Sequence, residues 1–289
     1  MTEKWQRLKY MPVMPMGEDG RRITGSQEHI DLARVAAAEG MVLLKNDQSL
    51  LPFRKGEKLA LFGKAQADYV KGGGGSGDVT VAYVRSLLDG LCIKEQEGKV
   101  SLFAPLSDYY ADYVREQYAQ GQEPGCCPEA PVPEWMISQA STFADTAIIT
   151  LCRFSGEGWD RSGTPYDGDF YLSREEEAMV KAVTKAFSRV TVVLNTGGMM
   201  DTGWFKDSAG IQAALLAWQG GIEGGLATAD ILCGDKTPSG HLTDTFAMNF
   251  GAYPSSGTFN ESQDYVTYHE DIFVGYRYFE TIPGAAEKV

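Results

Sequence analysis

Short apolar runs alternate along this chain with segments whose apolar side chains recur every three or four positions. Strands are predicted at residues 58–62, 99–103, 145–152, 190–194 and 213–218, and the last two are nearly all apolar, as in a sheet buried on both faces. Helical spacing covers residues 27–45, 80–91, 108–120, 173–187 and 220–234. This alternation predicts an α/β fold in which a mostly parallel sheet is sandwiched between helices.

The ends of several predicted elements are marked by capping residues. Residues 1–26 contain prolines and glycines and are expected to form an extended arm, whereas residues 27–289 are expected to form the α/β domain. Ser26 is placed to cap the helix that follows the arm. Ser173 and Glu176 have the spacing of a capping box at the start of another helix.

The charge balance narrows the choice of partners. The chain has 26 basic and 39 acidic residues, for a formal charge of −13. Such an acidic protein repels nucleic acid and anionic membranes, so we predict neither partner and expect a neutral substrate. No apolar stretch approaches the ~20 residues of a membrane span, and the first residues lack a signal-peptide core. We therefore expect a cytoplasmic protein.

The cysteines and histidines do not form a metal-binding pattern. The five cysteines are irregularly spaced, and the adjacent pair Cys126 and Cys127 lacks the spacing of metal ligands. The chain has three histidines, of which His241 and His269 lie outside any nucleophile or metal motif and are interpreted as structural. We predict reduced thiols, no metal site and no cofactor.

A glycine-flanked glutamate is the strongest candidate for a catalytic group. Residues 155–161 read SGEGWDR and directly follow a predicted strand. The two flanking glycines allow the loop to push Glu157 outward, at the strand end where α/β proteins place their chemistry. Trp159 offers a flat apolar face on which a ligand could stack, or it covers the base of the loop. Asp160 and Arg161 are expected to form a local ion pair that shapes the loop, and a solvated surface turn is the alternative.

A second unusual segment, residues 71–78, reads KGGGGSGD. One interpretation is a flexible linker. Another is a dinucleotide loop, because the glycines satisfy G-x-G-x-x-G, although so many glycines satisfy that pattern trivially. We favour a third, a glycine loop at the carboxyl end of the first predicted strand, where Gly75 and Ser76 closely approach a ligand.

Together these segments resemble glycoside hydrolase family 3, over residues 27–280. The matching motifs are EGMVLLKN at 39–46, LLPF at 50–53, the glycine-serine loop, SGEGWDR, GDFYL at 168–172, VLN at 193–195, WQG at 218–220, PSGHL at 238–242 and IFVGYRY at 272–278. The resemblance implies the family's second domain, a six-stranded α/β sandwich found mostly in β-glucosidases. It also implies that Glu157 is the general acid/base and that Ser76 lies at the sugar site.

The resemblance also implies that a catalytic group is missing. Retaining glycosidases use two carboxyl groups about 5–5.5 Å apart. In this family the nucleophile is an aspartate on a (β/α)8 barrel, which needs ~250 residues, and no segment here carries it. We therefore expect this chain to be a fragment, or one half of a split enzyme. We also expect the family's inverted domain order, in which the barrel follows the α/β domain.

The predicted function is part of a retaining, exo-acting β-glycosidase. A β-glucosidase acting on a β-linked glucoside or short oligosaccharide is favoured, with a β-xylosidase or related specificity as the alternative, and oligomerisation is left open. A non-enzymatic sugar- or nucleotide-binding module also stays open. A Rossmann site needs an acid about 20 residues beyond the glycine loop at a strand end. Glu95 and Glu97 are near that distance, but in a charged turn.

The two unusual loops provide a direct geometric test. Ligand-binding loops of open α/β sheets lie at the carboxyl ends of the strands. We therefore predict that Ser76 and Glu157 lie at the same edge of the sheet, although they follow different strands.

Overall fold

The computed structural model describes residues 25–159, 161–258 and 261–289. The arm expected for residues 1–26 falls almost wholly outside these ranges. Within them, no helix is both long and apolar enough to cross a membrane.

The described residues form helices and strands that alternate along the chain. The α-helices are α1 (Gln27–Gly40), α2 (Leu87–Gln96), α3 (Ala104–Ala119), α4 (Glu134–Phe143), α5 (Arg174–Ala186), α6 (Gly203–Lys206), α7 (Gly224–Leu232) and α8 (Tyr276–Thr281). The strands are β1 (Val42–Asn46), β2 (Glu57–Phe62), β3 (Val100–Leu102), β4 (Thr146–Arg153), β5 (Arg189–Thr196) and β6 (Ala213–Leu216).

The strands form one six-stranded sheet in the order β1-β6-β5-β4-β2-β3. Strand β1 is antiparallel to β6, and every other pairing is parallel. All eight residues of β4 are buried, as a central strand covered on both faces requires. The predicted fold class, a mostly parallel sheet between helices, is confirmed.

Each face of the sheet has its own apolar core because successive strand residues point to opposite sides. On β2, Ala60 and Phe62 join the core under α3, α4 and α5, whereas Leu59 and Leu61 join the core under α1, α2 and α7. These four side chains are at most 1% exposed. Since each fully buried Leu or Phe contributes about 1.5–3 kcal/mol, the two cores hold β2 and β4 in register.

One predicted helix is too long, and its last residues form a strand instead. The helix expected over residues 27–45 ends at Gly40, and Met41 is extended with φ −68° and ψ 147°. The next five residues form β1 and pair with β6. The apolar spacing of this short run suits either element, and hydrogen bonding to the edge of the sheet decides it.

Other differences concern element boundaries and the C-terminal tyrosines. Helix α2 begins at Leu87 rather than residue 80, after a capping box formed by Ser86 and Asp89, and α4 is not among the predicted elements. Alternation along the sequence predicts that Tyr268, Tyr276 and Tyr278 lie on strands and pack inward, and this prediction is wrong for Tyr268 and Tyr276. They are 87% and 58% exposed, and Tyr276 begins helix α8.

Candidate functional site

The glycine loop and the glutamate loop meet above the carboxyl ends of β2 and β4, which are neighbouring parallel strands. The backbone of Gly74 bridges to that of Gly156, and the Gly74 amide donates to the carbonyl of Ser155 at 2.9 Å. The prediction that Ser76 and Glu157 lie at one edge is thereby confirmed. The glycine loop does not open a helix, since α2 begins at Leu87, which disfavours the dinucleotide interpretation.

The two loops approach so closely that a side chain does not fit between them. A Cβ on Gly156 would lie 2.7 Å from Cα of Gly74, and a Cβ on Gly75 would lie 2.7 Å from Cγ of Glu157. Gly75 also has φ +82°, a conformation that disfavours other residues. Glycine is therefore required at both positions, for contact and, at Gly75, also for backbone conformation.

Gly156→Ala should force the loops apart, because its new Cβ would meet backbone atoms rather than a movable side chain. We expect the free energy of unfolding to fall by about 1–3 kcal/mol, as for overpacking elsewhere. Gly77→Ala is the matched control, since a Cβ there meets no atom within 4 Å. Urea unfolding of the two variants measures the difference, and equal stabilities would contradict the close contact.

Glu157 projects from the tip of its loop and is exposed to solvent. The Ser76 hydroxyl, at the centre of the short turn Gly75–Gly77, donates to Oε2 of Glu157 at 3.2 Å. The site thus combines an accessible carboxyl group, able to exchange a proton with a bound molecule, and a hydroxyl that orients it. Lys71 and Asp78 form an ion pair across the glycine loop.

Trp159 covers the base of the glutamate loop and also presents a face to solvent. Its ring centroid lies 5.3 Å from that of Phe154, and the residue is 54% exposed. Both rings, together with Gly74 and Val70, line a cavity of about 190 Å³ beside the glycine loop. The two roles considered for Trp159 are therefore compatible in geometry.

Asn195, at the end of β5, holds the chain that leads into the glycine loop. Its Oδ1 accepts from the Val70 amide at 2.8 Å, and its Nδ2 donates to the carbonyls of Val70 and Trp218 at 2.9 and 2.7 Å. Asn195 is 3% exposed, so its amide group is fully satisfied inside the protein. Sequence reasoning noted this asparagine only as part of a family motif.

A buried ion pair lies beneath the site. Lys64 Nζ is 2.7 Å from Asp68 Oδ2, and the two side chains are 5% and 0% exposed. Asp68 also accepts hydrogen bonds from the Tyr118 hydroxyl and the Gly125 and Cys127 amides. Burial alone would raise the pKa of Asp68, but Lys64 and these donors outweigh it and lower the pKa. The network anchors residues 125–127 under the turn that follows β2.

Glu129 is a second buried carboxyl group beside this network. Its Oε2 accepts from the Lys64 amide at 3.1 Å, and Oε1 accepts from the Ala130 amide at 3.1 Å. The residue is 7% exposed, and burial raises its pKa from 4.5 to about 7. The folded state therefore holds a proton on Glu129 that the unfolded chain releases at lower pH.

The raised pKa of Glu129 predicts a loss of stability as pH rises from 4.5 towards 7, because the folded state binds more protons over that window. The shift corresponds to about 3 kcal/mol. Glu129→Gln mimics the protonated form, so it should match the unsubstituted protein at pH 4.5 and exceed its stability at pH 8. Urea unfolding at both pH values tests this. The exposed Glu123→Gln is the control, and a similar gain there would contradict the assignment.

Arg161 forms an ion pair with Asp169. Its Nε donates to Asp169 Oδ1 at 2.5 Å, and Nη1 donates to the Met199 carbonyl at 2.6 Å. Asp160, the partner expected from the sequence, lies outside the described residues. Asp169 also accepts from the Ser162 amide at 2.5 Å, so it holds the segment that follows Glu157.

The remaining titratable groups do not assemble into a metal centre. Across residues 25–159, 161–258 and 261–289, no three His, Cys, Asp or Glu side chains form a group suited to hold a metal ion. His241 and His269 are exposed, and all five cysteines are free thiols. Burial raises the pKa of Cys152 to about 11 and that of Cys127 to about 12, so both are protonated at neutral pH.

Comparisons with known proteins agree with this architecture. Residues 41–276 match the model of the glycosyl hydrolase family 3 C-terminal domain. The chain is 53% identical to β-glucosidase A of Butyrivibrio fibrisolvens, over 99% of this chain and 37% of that protein. A β-glucosidase structure from Paenibacillus barengoltzii superimposes with a TM-score of 0.83 at 38% identity, over 91% of this chain and 29% of that one.

A further solved structure, β-glucosidase 3B of Thermotoga neapolitana with glucose, gives a TM-score of 0.81 at 34% identity, over 97% of this chain and 38% of that one. The chain thus spans less than two fifths of the length of each of these relatives. The sheet order, the paired loops and the matched family model lead to one conclusion: the chain belongs to glycosyl hydrolase family 3, as its C-terminal domain.

Proposed function

We propose that this domain supplies the general acid/base, Glu157, to a retaining exo-acting β-glycosidase, most simply a β-glucosidase. The observation that carries the proposal is the position of Glu157. It is exposed at the tip of a loop above the carboxyl edge of the sheet and is hydrogen-bonded to Ser76. Ligand sites of open α/β sheets lie at this edge, and the relatives are β-glucosidases.

The chemistry assigned to Glu157 has two halves. In the first, its protonated carboxyl group donates to the glycosidic oxygen while an aspartate from another domain attacks the anomeric carbon. The C–O bond to the leaving group breaks, and a covalent glycosyl-enzyme forms. In the second, the Glu157 carboxylate removes a proton from water, which displaces the aspartate and releases the sugar with retained configuration. In this proposal Ser76 orients the carboxyl group through its hydrogen bond and also contacts the sugar.

The apolar side chains exposed around Glu157 suggest that a second domain covers the site. Val79 is 63% exposed, Val84 37% and Trp159 54%, so apolar side chains face solvent along the glycine and glutamate loops. Exposed apolar groups beside a catalytic candidate are typical of surfaces that a partner covers. We assign that partner as the family's (β/α)8 barrel, which carries the nucleophile, and we propose that it follows this domain in inverted order.

Substitution of Glu157 in the complete enzyme, meaning this domain together with a nucleophile-bearing barrel, tests the proposal. Glu157→Ala should lose hydrolysis of cellobiose while it still reacts with a glucoside whose leaving group needs no proton. Equal loss on both substrates would reject Glu157 as the general acid.

A further inference from the structure

The loop that carries Glu157 runs between the end of β4 and the start of α5 and is fixed at both flanks. Strand β4 ends at Arg153, four residues before Glu157, and helix α5 begins at Arg174. The returning flank of the loop passes through Asp169, whose backbone carbonyl accepts from Arg153 Nε at 2.6 Å. The outgoing and returning flanks are therefore joined at the end of β4.

Arg153 is a rigid anchor at this junction. Its Nη1 and Nη2 donate to Glu176 Oε1 and Oε2 at 2.7 and 2.8 Å, a bidentate pair in which both side chains are at most 5% exposed. The other N–H groups donate to the carbonyls of Cys152, Asp169 and Tyr171. Glu176 is itself fixed by the capping box of α5. All five N–H donors of the planar Arg153 guanidinium are used, and one of them binds the Asp169 carbonyl. The guanidinium is therefore fixed in place, and it fixes the Asp169 backbone with it.

The Asp169 carboxylate also binds the segment that follows Glu157 in the chain. Its Oδ1 accepts from Arg161 Nε at 2.5 Å and its Oδ2 accepts from the Ser162 amide at 2.5 Å. Arg161 in turn donates to the Met199 carbonyl at 2.6 Å. Asp169 thus binds the end of β4 through its backbone and the segment after Glu157 through its side chain. No other described acidic residue of residues 154–173 makes both connections.

We infer that Asp169 is a positioning residue for the general acid: it holds the glutamate loop so that the Glu157 carboxyl group meets the leaving oxygen. The inference rests on the proposed role of Glu157 and extends it to a residue outside the reacting groups. Since a displacement of about 1 Å at a catalytic group can cost ~10²-fold in rate, loosening one flank should impair proton transfer specifically.

Asp169→Asn in the complete enzyme tests the inference, because it keeps the size of the side chain but weakens its bonds to Arg161 and Ser162. We expect kcat/KM for cellobiose to fall by ~10²-fold, and that for dinitrophenyl glucoside by only a few-fold. Across a series of aryl glucosides, log kcat/KM should therefore depend more steeply on the pKa of the leaving group. Asp167→Asn is the matched control, since within the described part of the chain the Asp167 carboxylate accepts only from the Ser162 hydroxyl on the same loop.

A second variant, Arg161→Lys, tests the same inference if Asp169→Asn does not fold. Arg161→Lys keeps the positive charge beside Asp169, but an ammonium group lacks the planar set of donors that binds Asp169 and the Met199 carbonyl at once. The dependence of log kcat/KM on the leaving-group pKa should therefore be steeper than in the unsubstituted enzyme and less steep than in Asp169→Asn. An equal loss with every leaving group would make Asp169 structural only, and behaviour like Asp167→Asn would overturn the inference. If Glu157→Ala in the same enzyme showed no leaving-group dependence, the proposed function itself would fail.

Discussion

Replacing Glu157 with alanine in the complete enzyme is expected to lower the rate on cellobiose by ~10²–10⁴-fold, the usual contribution of a general acid/base. In the proposed mechanism both chemical steps lose assistance, because the same carboxyl group protonates the leaving oxygen and later deprotonates water. A dinitrophenolate leaving group needs no proton, so formation of the glycosyl-enzyme from dinitrophenyl glucoside should survive. Hydrolysis of the glycosyl-enzyme then becomes rate-limiting.

Azide should restore turnover of the Glu157→Ala variant on dinitrophenyl glucoside, since it attacks the anomeric carbon without a general base. The product expected is a glycosyl azide, which mass spectrometry of the reaction mixture identifies. Glu116→Ala, an exposed glutamate on α3, is the control and should behave like the unsubstituted enzyme. Near-normal cleavage of cellobiose by Glu157→Ala, or an equal loss on every substrate with no azide rescue, would place the general acid elsewhere.

The second large effect concerns this chain by itself, which we expect to show no turnover of aryl glucosides. A retaining mechanism needs a nucleophilic carboxylate about 5–5.5 Å from the acid, and an acid without it forms no glycosyl-enzyme. The aspartates that would come under suspicion if hydrolysis were observed are Asp160, Asp167 and Asp169. Asp167 and Asp169 are engaged with Ser162, and Asp169 also with Arg161. Release of nitrophenolate by the purified chain is the measurement.

The complementary experiment tests whether this chain supports activity when a barrel is present. Substituting this chain for the matching segment of Butyrivibrio fibrisolvens β-glucosidase A, to which it is 53% identical, should give an active chimera. The same chimera carrying Glu157→Ala should lose cellobiose hydrolysis and so show that the activity depends on this domain. Robust turnover by the chain without any added domain would contradict the division of catalytic groups and require a second carboxylate here.

Much of the fold is predictable from local patterns because strands and helices of this type bury one or both faces. The nearly all-apolar runs at β5 and β6 lie inside the sheet, as their composition indicates. The Ser173–Glu176 capping box starts α5 where predicted. Local signals of this kind involve residues within a few positions of one another, so the sequence is sufficient to recognise them.

Strand β1 is an element that the local apolar spacing does not predict correctly. Residues 42–46 continue an apolar spacing that suits a helix, yet they pair with β6, which lies more than 160 residues away in the chain. The exposed tyrosines near the C-terminus show the same limit, since alternation alone does not reveal whether a face has a partner. Hydrogen bonding between distant segments outweighs weak local preferences in the first case.

The candidate site divides in the same way. The sequence by itself identified Glu157, Ser76 and their glycine-rich loops, because glycine on both sides of a polar residue is a local signature. Only the tertiary structure placed the two loops in contact, set Asn195 beneath the glycine loop and paired Arg161 with Asp169. Hydrogen-bond partners depend on which strand ends are neighbours in the sheet, and that order follows from the packing of the whole domain.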